Sequence, residues 1–338
     1  MKQSTKHLIW TVGILCAILL SALIAITMGQ FSLSIREVLA VLLPGGLNGV
    51  EVTDNMVKTV WGIRLPRILL ALLAGAGLSA AGAAFQALFS NPLATPDTLG
   101  VATGSSFGAV LGILLGFSAF MTQLAALVTG LIAVALVYLV SRTRGGSPMV
   151  MVVLAGMVIS ALFSALVSLV KYTADPQDIL PAITYWIMGN MTSASWKNLA
   201  LGAPFILIGM TMLFLLRWKL NAMTLPTEEA KALGIPVRLI RALVILAATM
   251  ITASVVSMCG VIGWVGLLIP HIARMIFGNN NKYVMPASMG LGAVFLLVID
   301  TVARCATASE IPVSILTAVI GAPFFIILLR KTGGIQGN

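Results

Sequence analysis

The chain is dominated by uninterrupted apolar stretches, and this feature constrains its fold more than any other. Each stretch is about 20 residues long, which is enough for an α-helix to cross a hydrocarbon core of about 30 Å. A backbone in lipid must satisfy its own hydrogen bonds, and this requirement favours helices. Of the 338 residues, 59% are hydrophobic and only 9% are charged, too few to cover a soluble protein of this length. The sequence therefore predicts an all-α polytopic membrane protein with one transmembrane domain over residues 1–338.

The apolar stretches predict about ten transmembrane helices. Their expected bounds are 8–28, 62–86, 98–116, 120–140, 149–170, 197–216, 238–258, 261–277, 284–303 and 312–329. The eighth is short and contains Gly263, Gly266 and Pro270, so a partly re-entrant segment is the alternative. The apolar run of the first is about twice as long as that of a signal peptide, and we expect a retained helix.

The formal net charge of +10 does not indicate a nucleic-acid partner. A nucleic-acid binder clusters its basic residues on one face, whereas these residues lie in short loops between apolar stretches. An amino terminus on the inside places most of them in the cytoplasm, as the positive-inside rule requires. We therefore expect a multi-pass protein of a prokaryotic cytoplasmic (inner) membrane, in contact with lipid, with both termini cytoplasmic. The long outer segments are then 29–60 and 171–196.

Two arginines stand against this charge pattern. Arg64 and Arg67 fall at the outer, amino-terminal end of the second span. Positive charge there opposes the orientation rule, and it opposes the helix dipole by about 0.3–1 kcal/mol per charge. Their spacing of three places them on one helix face. An outward-facing guanidinium pair suits carboxylates on a partner. The alternative is snorkelling to lipid phosphates, and the residues alone leave both open.

A second unusual stretch, "TLPTEEAKALGIPVRLIRAL", covers residues 224–243 of the longest cytoplasmic loop. Thr227 can cap the amino end of a short helix, and Glu228 and Glu229 suit the positive end of its dipole. Gly234 can adopt the left-handed carboxyl cap, and Pro236 can start the next helix. Such a short helix needs packing to be stable. It is either a lever gripped by another subunit or a helix that lies on the protein's own loops.

Catalytic and energy-coupling motifs are absent from the sequence. It contains no Gly-Lys dipeptide and therefore no phosphate-binding loop, so energy for transport must come from another chain or from an ion gradient. Two distant histidines, His7 and His271, form no catalytic cluster, which argues against a membrane enzyme. An ion-coupled secondary transporter would carry buried ionisable residues, and apart from Asp300 the spans are nearly free of them. The three single cysteines indicate no metal site and are interpreted as packing residues, as are the glycines of the second span.

Three segments carry a family resemblance. They are "RLPRILLALLAGAGLSAAGAAFQALFSNPLATPDTLGVATG" (64–104), "GVIGWVGLLIPHIARMIFG" (260–278) and "EIPVSILTAVIGAPFFIILLRK" (310–331). They resemble the signature segments of the permease subunits of binding-protein-dependent ABC importers for iron-siderophore, haem and cobalamin, the FecCD-type or type II importers. The resemblance implies ten helices per subunit, a second permease copy, two ATP-binding subunits and an external substrate-binding protein. It implies no cofactor on this chain, because ATP is bound by the partner subunits.

The resemblance also assigns roles to residues. The R-L-P-R match implies that Arg64 and Arg67 dock the binding protein, and "DTVARCATASEIP" (300–312) extends this role to Arg304. Asp300, one turn earlier, allows an intrahelical ion pair with Arg304 as the alternative. We expect charge reversal at Arg64 and Arg67 to weaken docking while leaving the fold intact.

The short cytoplasmic helix resembles the coupling helix of this family, within a segment 220–237. The residues expected to contact the ATPase are Thr227, Glu228, Glu229, Ala230, Leu233 and Gly234. "SRTRGGSPM" (141–149) corresponds to the cytoplasmic gate region, which makes Ser147 and Met149 pathway candidates. An iron chelate is the favoured substrate, with cobalamin, haem or an oxyanion such as molybdate as alternatives. The sequence does not decide between a homodimer and a heterodimer.

Overall fold

The computed structural model describes residues 3–43, 47–141, 149–307 and 309–333, and helices dominate these ranges. In chain order the helical elements are α1 (Gln3–Thr27), α2 (Ile35–Leu42), α3 (Asp54–Val57), a π-helical turn (Lys58–Arg64), α4 (Leu65–Leu88), a 3-10 turn (Pro96–Leu99), α5 (Val101–Leu114), α6 (Ala119–Val140), α7 (Met149–Thr173), α8 (Ile179–Ile187), α9 (Trp196–Leu216), α10 (Lys219–Ala222), α11 (Thr227–Ala232), α12 (Val237–Cys259), α13 (Val265–Phe277), α14 (Asn281–Cys305) and α15 (Val313–Gly333).

The helices confirm the prediction of about ten apolar spans. Seven stretches within the described ranges are long and apolar enough to cross a membrane: Leu8–Thr27, Asp54–Leu88, Ala119–Val140, Val150–Thr173, Trp196–Leu216, Val237–Cys259 and Asn281–Cys305. Three shorter apolar helices are Val101–Leu114, Val265–Phe277 and Val313–Ile327. Together they overlap the ten predicted spans one for one. The eighth prediction corresponds to α13, whose 13 residues span only about 20 Å.

The second span begins earlier than the sequence predicts. Its helix starts at Asp54, and the turn Lys58–Arg64 is π-helical. The Leu65 N–H bonds to the carbonyl of Val60, five residues back. A proline ring in an α-helix clashes with the carbonyl four residues earlier, and the wider turn before Pro66 relieves this clash at Gly62. Pro66 therefore lies inside a longer helix that begins at Asp54.

Helix α4 is the centre of the molecule and is buried along most of its length. It packs against α9, α12, α13 and α14. A Cβ at Gly75 would lie 2.2 Å from the carbonyl oxygen of Gly292, and a Cβ at Gly82 would lie 1.8 Å from that of Gly266. These backbones touch only because the side chains are missing, as expected for small residues at membrane helix interfaces. The interpretation of the span-two glycines as packing residues is confirmed.

Helix α1 lies at the periphery and packs mainly against α14. Most of its large apolar side chains are exposed, as a lipid-facing helix requires. Near its amino end, α1 also contacts the last residue of α13 through an edge-to-face pair between Trp10 and Phe277, with ring centroids 6.3 Å apart. The packing interpretation of the cysteines holds for Cys259, which is buried, but is wrong for Cys16 and Cys305, which are exposed.

The close approach of α4 and α13 predicts a strong response to a single methyl group. We expect Gly82→Ala to lower the thermal unfolding midpoint in detergent, because the new Cβ forces the two backbones apart at a cost of about 1–3 kcal/mol. Gly13→Ala is the matched control, since nothing lies within 4 Å of a Cβ built at that position. Equal midpoints for the two variants would contradict the assigned packing.

Candidate functional sites at the two ends of the bundle

Five charged side chains meet at one end of the helix bundle. They come from the π-helical turn, the start of α4, the last two turns of α14 and the loop before α15. We call them the arginine cluster: Arg64, Arg67, Asp300, Arg304 and Glu310. The end of the molecule that contains them is the arginine end.

Arg67 is the centre of the cluster. Its Nε lies 3.0 Å from both carboxylate oxygens of Asp300, and its Nη2 donates to Asp300 Oδ1 at 2.8 Å. On the other side, Nη1 and Nη2 donate to the two oxygens of Glu310 at 2.9 and 2.8 Å. The planar guanidinium thus forms paired hydrogen bonds with two carboxylates, the geometry in which arginine binds most strongly. This arrangement ties α4 to α14 and to the loop before α15.

Arg64 and Arg304 bind the backbone at the end of α1. Arg64 Nη1 donates to the carbonyls of Ile26 and Thr27, and Nη2 donates to that of Phe31. Arg304 Nη2 donates to the carbonyl of Ala25. The last carbonyls of a helix have no intrahelical partner and carry the negative end of its dipole. The two arginines therefore cap α1 from neighbouring helices.

The expectation that Arg64 and Arg67 form an outward-facing pair is wrong. Arg64, Arg67 and Arg304 are only 3, 5 and 7% exposed. The snorkelling alternative also fails, because these guanidinium groups face the protein. The sequence spacing identified a shared helix face, but that face is turned inward toward acceptors far away in the sequence. Charge reversal at Arg67 would place a carboxylate against Asp300 and Glu310, so we expect this variant to be destabilised rather than to keep an intact fold.

Asp300 pairs chiefly with Arg67 rather than within its own helix. The Arg304 Nε lies 4.0 Å from Asp300 Oδ2, and it makes no hydrogen bond within the described part of the chain. The intrahelical pair therefore exists only as a long contact. The docking role of Arg64, Arg67 and Arg304 stays a prediction.

The segment 220–237 lies at the opposite end and contains all of α11 and all of α10 except its first residue, Lys219. Gly234 has φ +74° and ends α11, which confirms the predicted left-handed cap. The N–H of Ile235 bonds to the carbonyl of Ala230 at 3.1 Å, and that of Gly234 to the carbonyl of Lys231 at 2.9 Å. This pair of bonds is a Schellman motif.

The amino end of α11 differs from the prediction. Thr227 does not cap it, because Pro226 occupies the cap position and no side-chain hydrogen bond is made there. Pro236 occupies the cap position of α12, one residue before the helix, and not its first turn. A cap at Thr227 would need the helix to begin one residue later than it does.

Helix α11 presents most of its surface to solvent. Ala230 is buried against the bundle, whereas Glu228 and Glu229 are exposed and Leu233 is 65% exposed. Glu228 forms an ion pair with Lys231 at 2.8 Å. An exposed leucine beside two exposed carboxylates is a surface suited to a partner. The alternative, a helix lying on the protein's own loops, accounts only for Ala230.

Of the two pathway candidates, Ser147 and Met149, the structure describes only Met149. Ser147 lies outside the described residues. Met149 is the first residue of α7.

The bundle of apolar helices with charged groups at its two ends defines a polytopic α-helical membrane protein. Comparisons with known proteins agree with this class. The model of the FecCD transport family matches residues 16–331. The chain is 40% identical over 320 residues to the molybdate import system permease protein MolB of Haemophilus influenzae, covering 94% of each chain. It is 37% identical over 327 residues to a probable iron chelatin transport system permease protein of Helicobacter pylori, covering 96% of this chain and 98% of the relative.

A solved structure gives the same result. It is described as a metal-chelate type ABC transporter in an inward-facing conformation, and it matches with a TM-score of 0.84 at 38% identity. The match covers 95% of this chain and 98% of the other. The chain belongs to the FecCD transport family and is an ABC transporter permease of the membrane. The family resemblance and the fold class predicted from the sequence are confirmed.

The buried ion pair predicts a specific stability pattern. We expect Arg67→Met to destabilise the protein by about 3–5 kcal/mol, because Asp300 is left buried without its main counter-charge. Adding Asp300→Asn to that variant should restore part of the loss. Thermal unfolding of the purified variants measures both effects, with exposed Lys58→Ala as the control. A double variant less stable than Arg67→Met would contradict this account.

Proposed function

We propose that this chain is the translocation subunit of a binding-protein-dependent importer in a prokaryotic cytoplasmic membrane. It works with a second permease copy, two ATP-binding subunits and an external substrate-binding protein. The observation that carries the proposal is α11, a short helix with a Schellman cap that projects an apolar and acidic surface from a member of the FecCD transport family. The chain itself binds no ATP.

The distribution of charge supports a cytoplasmic position for segment 220–237. Basic residues flank it on both sides, namely Arg217, Lys219, Arg238 and Arg241, and Lys231 lies within it. The positive-inside rule favours this end in the cytoplasm and the arginine end outside. Helix α1 runs toward the arginine end, so the amino terminus is cytoplasmic, and α15 runs away from it, so the carboxyl terminus is cytoplasmic too.

In this proposal, α11 is the coupling helix that contacts an ATP-binding subunit. Thr227, Glu228 and Glu229 form its exposed first turn, and Leu233 supplies the apolar contact. Ala230 holds the helix on the bundle, while Gly234 fixes the angle at which the chain leaves it.

Gly234, which has a left-handed backbone conformation, offers a direct test of coupling between ATP hydrolysis and transport. A β-branched residue at Gly234 is disfavoured by about 1–2 kcal/mol, although nothing lies within 4 Å of its Cβ. We expect Gly234→Val to lower transport about tenfold while the ATP-binding subunits still co-purify. Ala232→Val, at an exposed position of the same helix, should transport normally. Vanadate-sensitive ATP hydrolysis is measured in parallel, and normal transport by Gly234→Val would count against the assignment.

Docking of the binding protein is proposed at the arginine end. The cluster carries three guanidinium groups against two carboxylates, and an acidic surface would be attracted to this excess. Because Arg64 and Arg304 are bound to α1 and Arg67 to Glu310, a partner's carboxylate must replace one of these acceptors. Glu310 is the accessible one, with a side chain 25% exposed.

The gate remains part of the proposal. Ser147 and Met149 are proposed to line the cytoplasmic mouth of the pathway, as the resemblance implies. Met149 begins α7, and Ser147 comes two residues before it in the sequence.

The substrate is proposed from the relatives. A metal chelate is the first candidate, since the Helicobacter relative is described as an iron chelatin permease and the solved structure as a metal-chelate type transporter. An oxyanion is the second, because the relative with 40% identity is a molybdate permease.

Uptake into proteoliposomes decides between these substrates. The complex is reconstituted with its ATP-binding subunits and its binding protein, and radiolabelled ferric chelates and molybdate are offered in separate assays. We expect ATP-dependent accumulation of a ferric chelate. Accumulation of molybdate alone would establish the second candidate, and vesicles without this chain are the control.

A further inference from the structure

A hydrogen-bonded bridge joins segment 220–237 to the start of α14. Asn221, on α10, accepts a bond from the N–H of Asn281 at 2.8 Å. Its Nδ2 donates to Asn280 Oδ1 at 2.9 Å. Asn280 is the N-cap of α14, and the same oxygen accepts from the N–H of Lys282 at 3.0 Å. Asn221 therefore satisfies a free N–H of the first turn of α14 from another part of the chain.

Arg274 connects the same point to α4. Its Nη1 lies 3.4 Å from Asn281 Oδ1, and its Nη2 donates to the carbonyl of Ala83 at 3.2 Å. Its Nε lies 3.5 Å from Gln86 Oε1, and Gln86 Nε2 donates to the carbonyl of Leu267 at 3.1 Å. Among the described residues, no carboxylate lies within 4 Å of Arg274. The Arg274 guanidinium therefore connects the ends of α4, α13 and α14 by hydrogen bonds and forms no ion pair among the described residues.

The hydrogen bonds between Asn221 and the start of α14 lie close enough to α11 for its movement to reach them. Leu220 and Met223 are buried and anchor α10 to the bundle. Only residues 223–226 separate α10 from α11. A displacement of α11 is therefore passed to Asn221 through a short connection.

Helix α14 leads from this attachment to the arginine cluster. It has 25 residues, which corresponds to about 37 Å. Its single proline is Pro286, near the start, so the helix is free of proline from Ala287 to Cys305. Asp300 and Arg304, in its last two turns, bind Arg67 and the end of α1. One helix thus contacts segment 220–237 at one end and the arginine cluster at the other.

We propose that Asn221 and Arg274 are positioning residues that fasten segment 220–237 to α14, and that α14 carries displacement of this segment to the arginine cluster. The inference rests on the proposed function, in which an ATP-binding subunit moves α11. Coupling of this kind is reciprocal in binding free energy, so a partner that binds at the arginine end alters the nucleotide affinity of the ATP-binding subunits through the same helix.

The native Cys305 provides a reporter. It is the last residue of α14, is exposed, and follows Arg304 directly. The full complex with the ATP-binding subunits and the binding protein is placed in lipid nanodiscs, with Cys16→Ala to remove the other exposed thiol. The labelling rate of Cys305 by a membrane-impermeant maleimide is compared between the nucleotide-free and the vanadate-trapped complex. We expect the two rates to differ by at least about fivefold.

Asn221→Ala should abolish this difference. Asn279→Ala, at the exposed asparagine beside the α14 cap, is the matched control and should retain it. A double variant of Asn221→Ala and Asn280→Ala should show the same labelling rates as Asn221→Ala alone, because the bridge to α14 is already lost in the single variant. The double variant also loses the N-cap bond to Lys282, and that loss should lower only its thermal stability. Arg274→Lys keeps the charge but loses the planar fork, and it should reduce the difference even if Asn221→Ala fails to assemble.

Thermal unfolding separates this role from a purely structural one, which would lower stability without removing the nucleotide dependence. A nucleotide-dependent labelling rate retained in both Asn221→Ala and Arg274→Lys would overturn the inference. A wild-type complex with ATP hydrolysis that depends on this chain, but with equal labelling rates, would overturn the inference and leave the proposed function intact. ATP hydrolysis independent of this chain would overturn both.

Discussion

Close backbone contact along α4 is the constraint on which the rest of the structure depends. Without a Cβ at Gly75 and Gly82, α4 can touch α14 and the start of α13 at backbone distance. Because hydrogen bonds weaken steeply with distance, this spacing also decides whether the polar side chains at the ends of α4 reach their partners. Arg67 meets Asp300 at one end, and Gln86 meets Arg274 at the other. The small residues thus determine both the packing and the two polar sites.

The sequence predicted those parts of the structure that depend on local composition. Apolar length identified the ten spans, and the need for a positive φ identified Gly234 as the carboxyl cap of α11. It did not predict that the second span starts at Asp54, since residues 54–61 lack the apolar length of a span. The π-helical turn follows from this earlier start and was missed with it. The sequence also could not predict the acceptors of Arg67, which lie 233 and 243 residues away. Helix periodicity shows that two residues share a face but not what that face touches.

Positive charge at the arginine end has three physical explanations, which are a partner, lipid phosphates and acceptors within the chain. The arginine cluster shows that acceptors within the chain are sufficient here. Two carboxylates and the unpaired carbonyls of α1 supply acceptors for all three guanidinium groups. A buried guanidinium left without acceptors would be costly, so these bonds are required for folding whether or not a partner docks. Docking then becomes an exchange of acceptors rather than the filling of an empty site.

The position of the charges also bears on selectivity. From Ile68 to Leu88 in α4, from Ala242 to Cys259 in α12 and from Tyr283 to Ile299 in α14, the described helices contain no charged residue. A strong binding site at mid-membrane would need polar or ionisable groups there, as in secondary transporters. The buried polar side chains between the two charged regions are uncharged, and most are single hydroxyl groups such as those of Ser79, Thr252 and Ser288. In the proposed function, discrimination among chelates and oxyanions then falls mainly to the binding protein, in agreement with the different cargoes for which relatives of 40% and 37% identity are described.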